Sequence, residues 1–483
     1  LKVTERVDGT LQTIDFTSAE YENDNLVITF PTEKTYNAGG SPLETSPTNQ
    51  FTVATSCTAA TDIPVQYDYS QLGETWSAPR IFRIPSETLA DRTNSSKDRY
   101  VAVMGAGMGA TNLCAGSAVF IVNLDRDEEE GIEPGTIYGA TTNGGPITIV
   151  DTVVTREAVT TTITKDDGTT ETVTTQAATK VAGQHTPNGS DIGNSLPASA
   201  VVITPDTAFN IPWRGAMVYF NDLEGKITKL NLTSSTKNDA DLFDQTTLFR
   251  LDANTVNKRY SYFSMDAGIG QTTRDFWLFG GTGNFNDIGG GSKFMDNILY
   301  AVKDPNYPYF EHLNGAHVPR ETDDDFLAEA HKGANAAASI DNAVVCKDTT
   351  GKISCDDGPS SGQQAWVVHL DTPDGKGPNE NSNNTFRKLS AAPTLFKGQV
   401  YFPIYEPPQG ANPCNIGNAF ICVVDDECGS NNSHLLSRGG VPNGKNCEFV
   451  REGILSELVI FGDKLFANVA GPKEDAETLY SIL

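Results

Sequence analysis

The stretch Gly215–Leu232, GAMVYFNDLEGKITKLNL, decides how the rest of the chain is read. Its apolar run Ala216–Phe220 has strand length, Asn221-Asp222 and Gly225 supply turn chemistry, and Lys226–Leu232 returns as a second strand. Neither half is long enough for a helix, and the turn residues fall between them. The same phrase recurs. Before it stand SAPRIFRI (Ser77–Ile84), RYVAVMGAG (Arg99–Gly107), AVFIVNLD (Ala118–Asp125) and PASAVVIT (Pro197–Thr204). After it come DFWLFGGTGNF (Asp275–Phe285), NILYAVKD (Asn297–Asp304), AAPTLFKGQVYFPIYEP (Ala391–Pro407), AFICVVDDECG (Ala419–Gly429), ELVIFGDKLFANVAG (Glu457–Gly471) and ETLYSIL (Glu477–Leu483). A strand pair cannot bury both of its faces alone, so recurrence at four strands and roughly 40–50 residues per unit reads as the blades of a β-propeller. Five blades are visible, with room for one or two more before Gln71. The expected fold is all-β, an irregular propeller of about 6–8 blades.

Composition agrees. In 483 residues, apolar residues make up 38% and charged ones 20%, with 44 Gly and 25 Pro, a profile of short strands and turns rather than of helices or disorder. Lys and Arg number 35 against 62 Asp and Glu, a net charge of −27 that repels phosphate backbones and anionic lipids. Nucleic acid is therefore excluded as a partner. No stretch approaches the roughly 20 apolar residues of a membrane span. The chain opens Leu1-Lys2-Val3, without an initiator Met or a signal-peptide pattern, and reads as a processed or truncated piece.

Two insertions interrupt the repeat. Ile147–Val181 holds two Thr-rich alternating runs about Asp166-Asp167-Gly168, which predicts a long hairpin projecting from the rim. Asp304–Asn384 predicts a capping insertion; within it Asp325–Ser339, rich in Ala with an acidic start, reads as the one modest helix. Residues 71–483 are thus assigned to the propeller. Residues 1–70 form a β segment that belongs to it or ends an upstream domain.

At this level the chain resembles the C-terminal β-propeller of PilY-type proteins, secreted tip adhesins and assembly factors of type IV pili. The resemblance rests on Leu72–Ile84, Arg99–Gly107, Gly215–Leu232, Arg274–Phe285, Asn297–Asp304, Ala391–Pro407 and Glu457–Val469, which run in family order. It implies a non-enzymatic extracellular protein at a pilus tip or bacterial surface, with pilin or minor pilin subunits as partners and an undefined host or environmental ligand. Many such propellers hold calcium in an Asp-rich loop before the strand that here is Met217–Phe220. The corresponding positions are Ala208, Asn210, Pro212 and Ala216, so Pro205–Gly215 departs from that pattern.

Calcium is instead expected, if anywhere, at Asp125-Arg126-Asp127-Glu128-Glu129-Glu130, where Asp125, Asp127, Glu129 and Glu130 supply the clustered oxygens a hard cation requires. Against this, Gly131 stands one place too late for an EF-hand-like loop, and the run reads first as a solvated acidic edge. Gly105, Gly107 and Ala110, with Asp125 downstream, match the G-x-G-x-x-G/A pattern of dinucleotide sites. That fingerprint needs a helix after the glycines, and only Thr111–Ala118 separates them from the next strand, so a hairpin connection is expected. The six His residues are dispersed, and Ser-elbow, Walker and HExxH motifs are absent. Tyr307-Pro308-Tyr309-Phe310 is read as packing the second insertion onto the propeller.

Eight cysteines, none in CxxC spacing, favour disulfides in an oxidising compartment. Cys346 and Cys355 flank a short hairpin-like stretch and are expected to pair; Cys428 and Cys447 are expected to close the polar loop between them. Two other function classes compete: a quinoprotein-type dehydrogenase on a similar propeller, and a scaffold subunit of another extracellular filament. The former commonly carries adjacent cysteines, which this chain lacks.

Overall fold

The structure is a computed structural model that describes backbone and side chains over most of residues 65–108, 116–126, 133–139, 195–310, 365–370 and 386–471, and the backbone of strands within 2–54, 147–179, 338–339 and 479–481. No α-helix occurs among the described residues. At the amino end β1 (Lys2–Val7) pairs with β2 (Thr10–Asp15), and β3 (Ser18–Glu22), β4 (Asn25–Thr29) and β5 (Phe51–Ala54) form an antiparallel sheet. In blade 1, β6 (Arg80–Ile84), β7 (Arg99–Gly105) and β8 (Ala118–Asn123) are antiparallel neighbours, with β9 (Ile137–Tyr138) and β10 (Ile147–Thr148) on the far edge of β8. Next, β11 (Thr155–Arg156) pairs with β14 (Ala178–Thr179) around the hairpin of β12 (Thr160–Thr164) and β13 (Thr170–Thr174).

Blade 2 is the meander β15 (Val201–Ile203), β16 (Gly215–Asn221), β17 (Lys226–Thr233) and β18 (Gln245–Arg250). Blade 3 begins with β19 (Asp266–Ile269), β20 (Phe276–Gly281) and β21 (Ile298–Asp304); β22 (Ala338–Ser339) then lies parallel along β18, and β23 (Ala365–His369) returns to pair with β21. In blade 4, β24 (Lys388–Leu389) and β25 (Thr394–Phe396) share one edge of β26 (Gln399–Glu406), followed by β27 (Asn418–Asp425) and β28 (Cys447–Glu452). In blade 5, β29 (Ile454–Leu455) and β30 (Val459–Phe461) share one edge of β31 (Lys464–Ala470), and β32 (Leu479–Ser481) takes the other.

The blades stack face to face in chain order, which makes the fold β-propeller-like. Strand alternation sends successive side chains to opposite faces. Thus Ala216, Val218 and Phe220 of β16 join Val101, Val103 and Ile121 of blade 1, whereas Met217 and Tyr219 join Phe276, Leu278 and Tyr300 of blade 3. Trp277, Phe279 and Trp366 then meet Val400, Phe402 and Val424 of blade 4, whose other face carries Tyr401, Ile421 and Val423 against Leu465 and Val469 of blade 5. Trp277 and Trp366 are fully buried, and truncating either to Ala would cost about 3–5 kcal/mol. Within blade 2, Gly225 closes the β16–β17 turn with φ +74, and a Cβ there would stand 2.7 Å from Leu251 Cβ.

The described residues show five blades from β6 onward, and before residue 71 the strands form a hairpin and a three-stranded sheet. The end of the expected helix is corrected. Ala338–Ser339 is strand, drawn into pairing with the edge of β18, while residues 325–337 lie outside the described set. In the Thr-rich segment β12 and β13 pair antiparallel from Thr160–Thr174 to Thr164–Thr170, and Asp166-Asp167-Gly168 lie outside the described residues.

Candidate interaction surfaces

Meandering strands place their connections at two ends of the stack. One end carries the β6–β7, β15–β16, β17–β18, β19–β20 and β27–β28 connections, and polar side chains clamp neighbouring blades together there. Between blades 1 and 2, Arg214 donates from Nε and Nη2 to the two oxygens of Asp98 at 2.9 and 3.0 Å, and from Nη2 to the Arg92 carbonyl at 2.9 Å. Arg92, itself buried, reaches Asp241 at 3.1 Å. Fork-to-carboxylate bonding of this kind fixes orientation as well as distance.

Between blades 2 and 3, Lys229 Nζ lies 2.6 Å from Asp304 Oδ2, both fully buried, and the Tyr219 hydroxyl donates to the same oxygen at 2.7 Å. Burial first, then the Asp304 charge, pushes the Tyr219 phenol well above its ordinary value, so it remains a donor. Lys229 also donates to the Tyr309 carbonyl at 2.7 Å, and Trp213 Nε1 to the Pro308 carbonyl at 2.7 Å. With Phe310 buried and Tyr307 stacked on Phe276 at 4.4 Å between ring centroids, Tyr307–Phe310 anchors the start of the second insertion on blades 2 and 3. Between blades 3 and 4, Glu427 accepts from the Thr272 and Thr273 amides at 2.7 Å each and from the Thr273 hydroxyl. Burial would raise the Glu427 carboxyl, but these bonds outweigh it and hold it below the ordinary value. Its neighbour Asp426 is pushed up to about 7 by burial and then by the charges of Asp425 and Glu427.

The acidic β8–β9 connection sits at this same end. Asn123 gathers its neck, donating from Nδ2 to the carbonyls of Asp125 and Glu133 at 2.6 and 2.8 Å. Asp125 Oδ2 accepts the Tyr100 amide at 2.6 Å, so part of that carboxylate serves as a backbone cap. Asp127, Glu129 and Glu130 lie outside the described residues. Among the described residues, no group of three or more His, Cys, Asp or Glu is arranged to hold a metal ion. Of the positions aligned with the family's calcium loop, Ala208 and Asn210 lie outside the described residues and Ala216 is buried in the blade 1–2 core as part of β16, while Trp213 and Arg214 tie the preceding connection to Pro308 and Asp98. The Gly105/Gly107 motif leads from β7 into an antiparallel neighbour, β8, with Gly107 bridging to Leu196, whereas the dinucleotide fingerprint requires a crossover to a parallel strand.

The cysteine assignment is corrected in one place. Cys447 pairs with Cys422, not with Cys428, because the β27–β28 register sets Cys422 and Cys447 opposite one another; Cys428 lies outside the described residues. Cys346 and Cys355 lie outside the described residues. The clamp at Glu427 leaves no distinct signal in the sequence, where Asp425-Asp426-Glu427 is one short acidic run after an apolar strand.

The two insertions leave opposite ends of the stack. Asp304–Phe310 starts the second at the clamped end, whereas the Thr-rich segment departs after β10, paired at Ile147–Val119, and returns through Leu196 against Gly107 at the other. No helix among the described residues is long and apolar enough to cross a membrane.

No protein-family model matches the chain, and no curated protein matches it in sequence. Among solved structures, it is similar to the crystal structure of the Pseudomonas aeruginosa PilY1 C-terminal domain, at 13% identity and a TM-score of 0.44, over 100% of this chain and 82% of that one.

Proposed function

We propose that this chain is a type IV pilus-associated surface protein that acts by binding, as a tip adhesin or assembly factor, and turns over no substrate. One observation carries the reading. The phrases that resemble the PilY-type family fall in order on strands of five consecutive blades, from β6 to β31, so the resemblance spans the whole stack rather than one module. The two insertions then suit the task, since they give the stack separate surfaces at opposite ends, one for pilin or minor pilin subunits and one for a surface ligand. The carboxylates and cations described at the clamped end are spent on holding blades together, which makes a rigid platform.

With a net charge of −27, recognition rests on short-range contact rather than on long-range attraction, and the Thr-rich hairpin offers edges for strand addition. The test is binding of the purified chain to soluble pilin and minor pilin domains, with and without residues 150–193. The reading expects binding that varies little between low and high salt and weakens at least tenfold on deletion, while circular dichroism stays that of a folded β protein. Absence of binding to any pilin domain contradicts it.

A further inference from the structure

Where β27 ends, three consecutive carboxylates, Asp425-Asp426-Glu427, enter the joint between blades 3 and 4, and Asp426 and Glu427 are only 4% and 2% exposed there. Carboxylates side by side and out of water do not all ionise, because each charge disfavours the next. The other two clamps pair their carboxylates with Arg214, Arg92 and Lys229. At this joint two adjacent carboxyls are held in opposite states instead.

Glu427 is placed to be charged. The Thr272 and Thr273 amides and the Thr273 hydroxyl all donate to its two oxygens, and Gly270 leaves the room they fill, since a Cβ there would collide with Oε1. Asp426 is placed to be neutral. The cations on the elements around its turn are Arg274 in the β19–β20 connection, Lys303 on β21 and Lys397 between β25 and β26. Lys303 holds Asp275 at 2.6 Å and Lys397 lies over the Phe396 ring at 4.9 Å; among the described residues no cation pairs with the Asp426 carboxyl. Of the other titratable groups on these elements, Asp266 accepts the Leu395 amide at 2.6 Å, Glu448 lies on β28 opposite Ile421, and His369 stands at the far end of β23 opposite Ile298. Burial, then the charges of Asp425 and Glu427, raise the Asp426 carboxyl to about 7; for Glu427 the Thr273 and Thr272 bonds outweigh burial and keep it ionised at lower pH.

The turn that carries both groups is also what blade 4 offers to blade 3. The Asp426 carbonyl accepts Trp366 Nε1 of β23 at 2.9 Å, one residue from the Glu427 clamp on the β19–β20 connection. An ionised Asp426 has to turn toward water, and moving it draws the Trp366 and Thr272–Thr273 contacts away from blade 3 together. The folded state holds the extra proton, so its contribution is lost as pH rises through about 7.

We propose that Asp426-Glu427 is a proton-operated latch: with Asp426 protonated and Glu427 ionised it locks blade 4 to blade 3, and ionisation of Asp426 loosens this joint while the blade 1–2 and blade 2–3 clamps hold. Blades 4 and 5 then gain freedom as a unit relative to blades 1–3.

The test is hydrogen–deuterium exchange of the full chain, normalised at each pH to the intrinsic exchange of unstructured peptides and read at the Thr272 and Thr273 amides. The proposal expects their protection to fall at least fivefold between about pH 5.5 and about pH 8, while peptides covering Arg99–Gly105 and Gly215–Asn221 change less than about twofold. Asp426→Asn, which keeps the shape and cannot ionise, should hold the protection of Thr272 and Thr273 at the higher pH within about twofold of its value at the lower. Glu427→Gln should lower that protection at both pH values, with the far-ultraviolet spectrum of the blades retained. A protection that does not change with pH in the unaltered chain, a fall of the same size in Asp426→Asn, or an equal fall in the blade 1 and blade 2 peptides would overturn it.

Discussion

Lys229 shows how a cation can be structural here. Asp304 receives both the Lys229 ammonium and the Tyr219 hydroxyl in a fully buried site, so removing the cation alone strands a carboxylate in low dielectric. Lys229→Met should therefore cost about 3–5 kcal/mol by chemical denaturation, whereas Lys229→Met combined with Asp304→Leu should recover most of that loss. Asp426 gives a pH signature of defined sign. Its folded pKa of about 7 lies above the unfolded value, so the folded state binds the extra proton; stability is fully present below about pH 4 and is lost as pH rises toward 7. Asp426→Asn should flatten this fall, by on the order of 1–2 kcal/mol after allowance for solvent screening, in melts from pH 4 to 8. Asp125 separates capping from calcium binding. If the acidic loop takes calcium, Asp127→Ala with Glu129→Ala and Glu130→Ala should abolish a calcium-induced rise in Tm and leave the calcium-free Tm unchanged. Asp125→Ala should lower the calcium-free stability as well, by roughly 1 kcal/mol, because the cap on the Tyr100 amide is lost.

At the scale of elements, the Cys422–Cys447 link joins adjacent strands across a sequence separation of 25. Closing a loop of that length stabilises by about 3 kcal/mol, so replacing both cysteines by Ser should lower stability by that order, and non-reducing peptide maps should recover these two cysteines joined. The strands themselves were legible because each apolar run is bounded by Gly, Asn, Asp or Pro, as in Gly215–Leu232. The disulfide partner was not. Register decides which cysteine faces Cys447, and register depends on the bulge between Ala419 and Phe420, which leaves no mark in composition. The interblade clamps were equally hidden, since Glu427 and Thr273 are 154 positions apart and meet only once blades 3 and 4 have stacked.

Taken as a whole molecule, the chain is a stack of antiparallel blades whose faces are apolar and whose clamped end is polar, with insertions leaving from opposite ends. The propeller-like plan could be read from the repeat; the blade number could not, because residues before 71 carry strand patterning without the four-strand period. Immunogold labelling of the protein on piliated cells, paired with fibre counts and adhesion in cells lacking it, tests the central claim most directly. The account predicts label at fibre tips and a loss of fibres or adhesion without the protein; label confined to the periplasm, on cells whose fibres assemble and adhere normally in its absence, would contradict it.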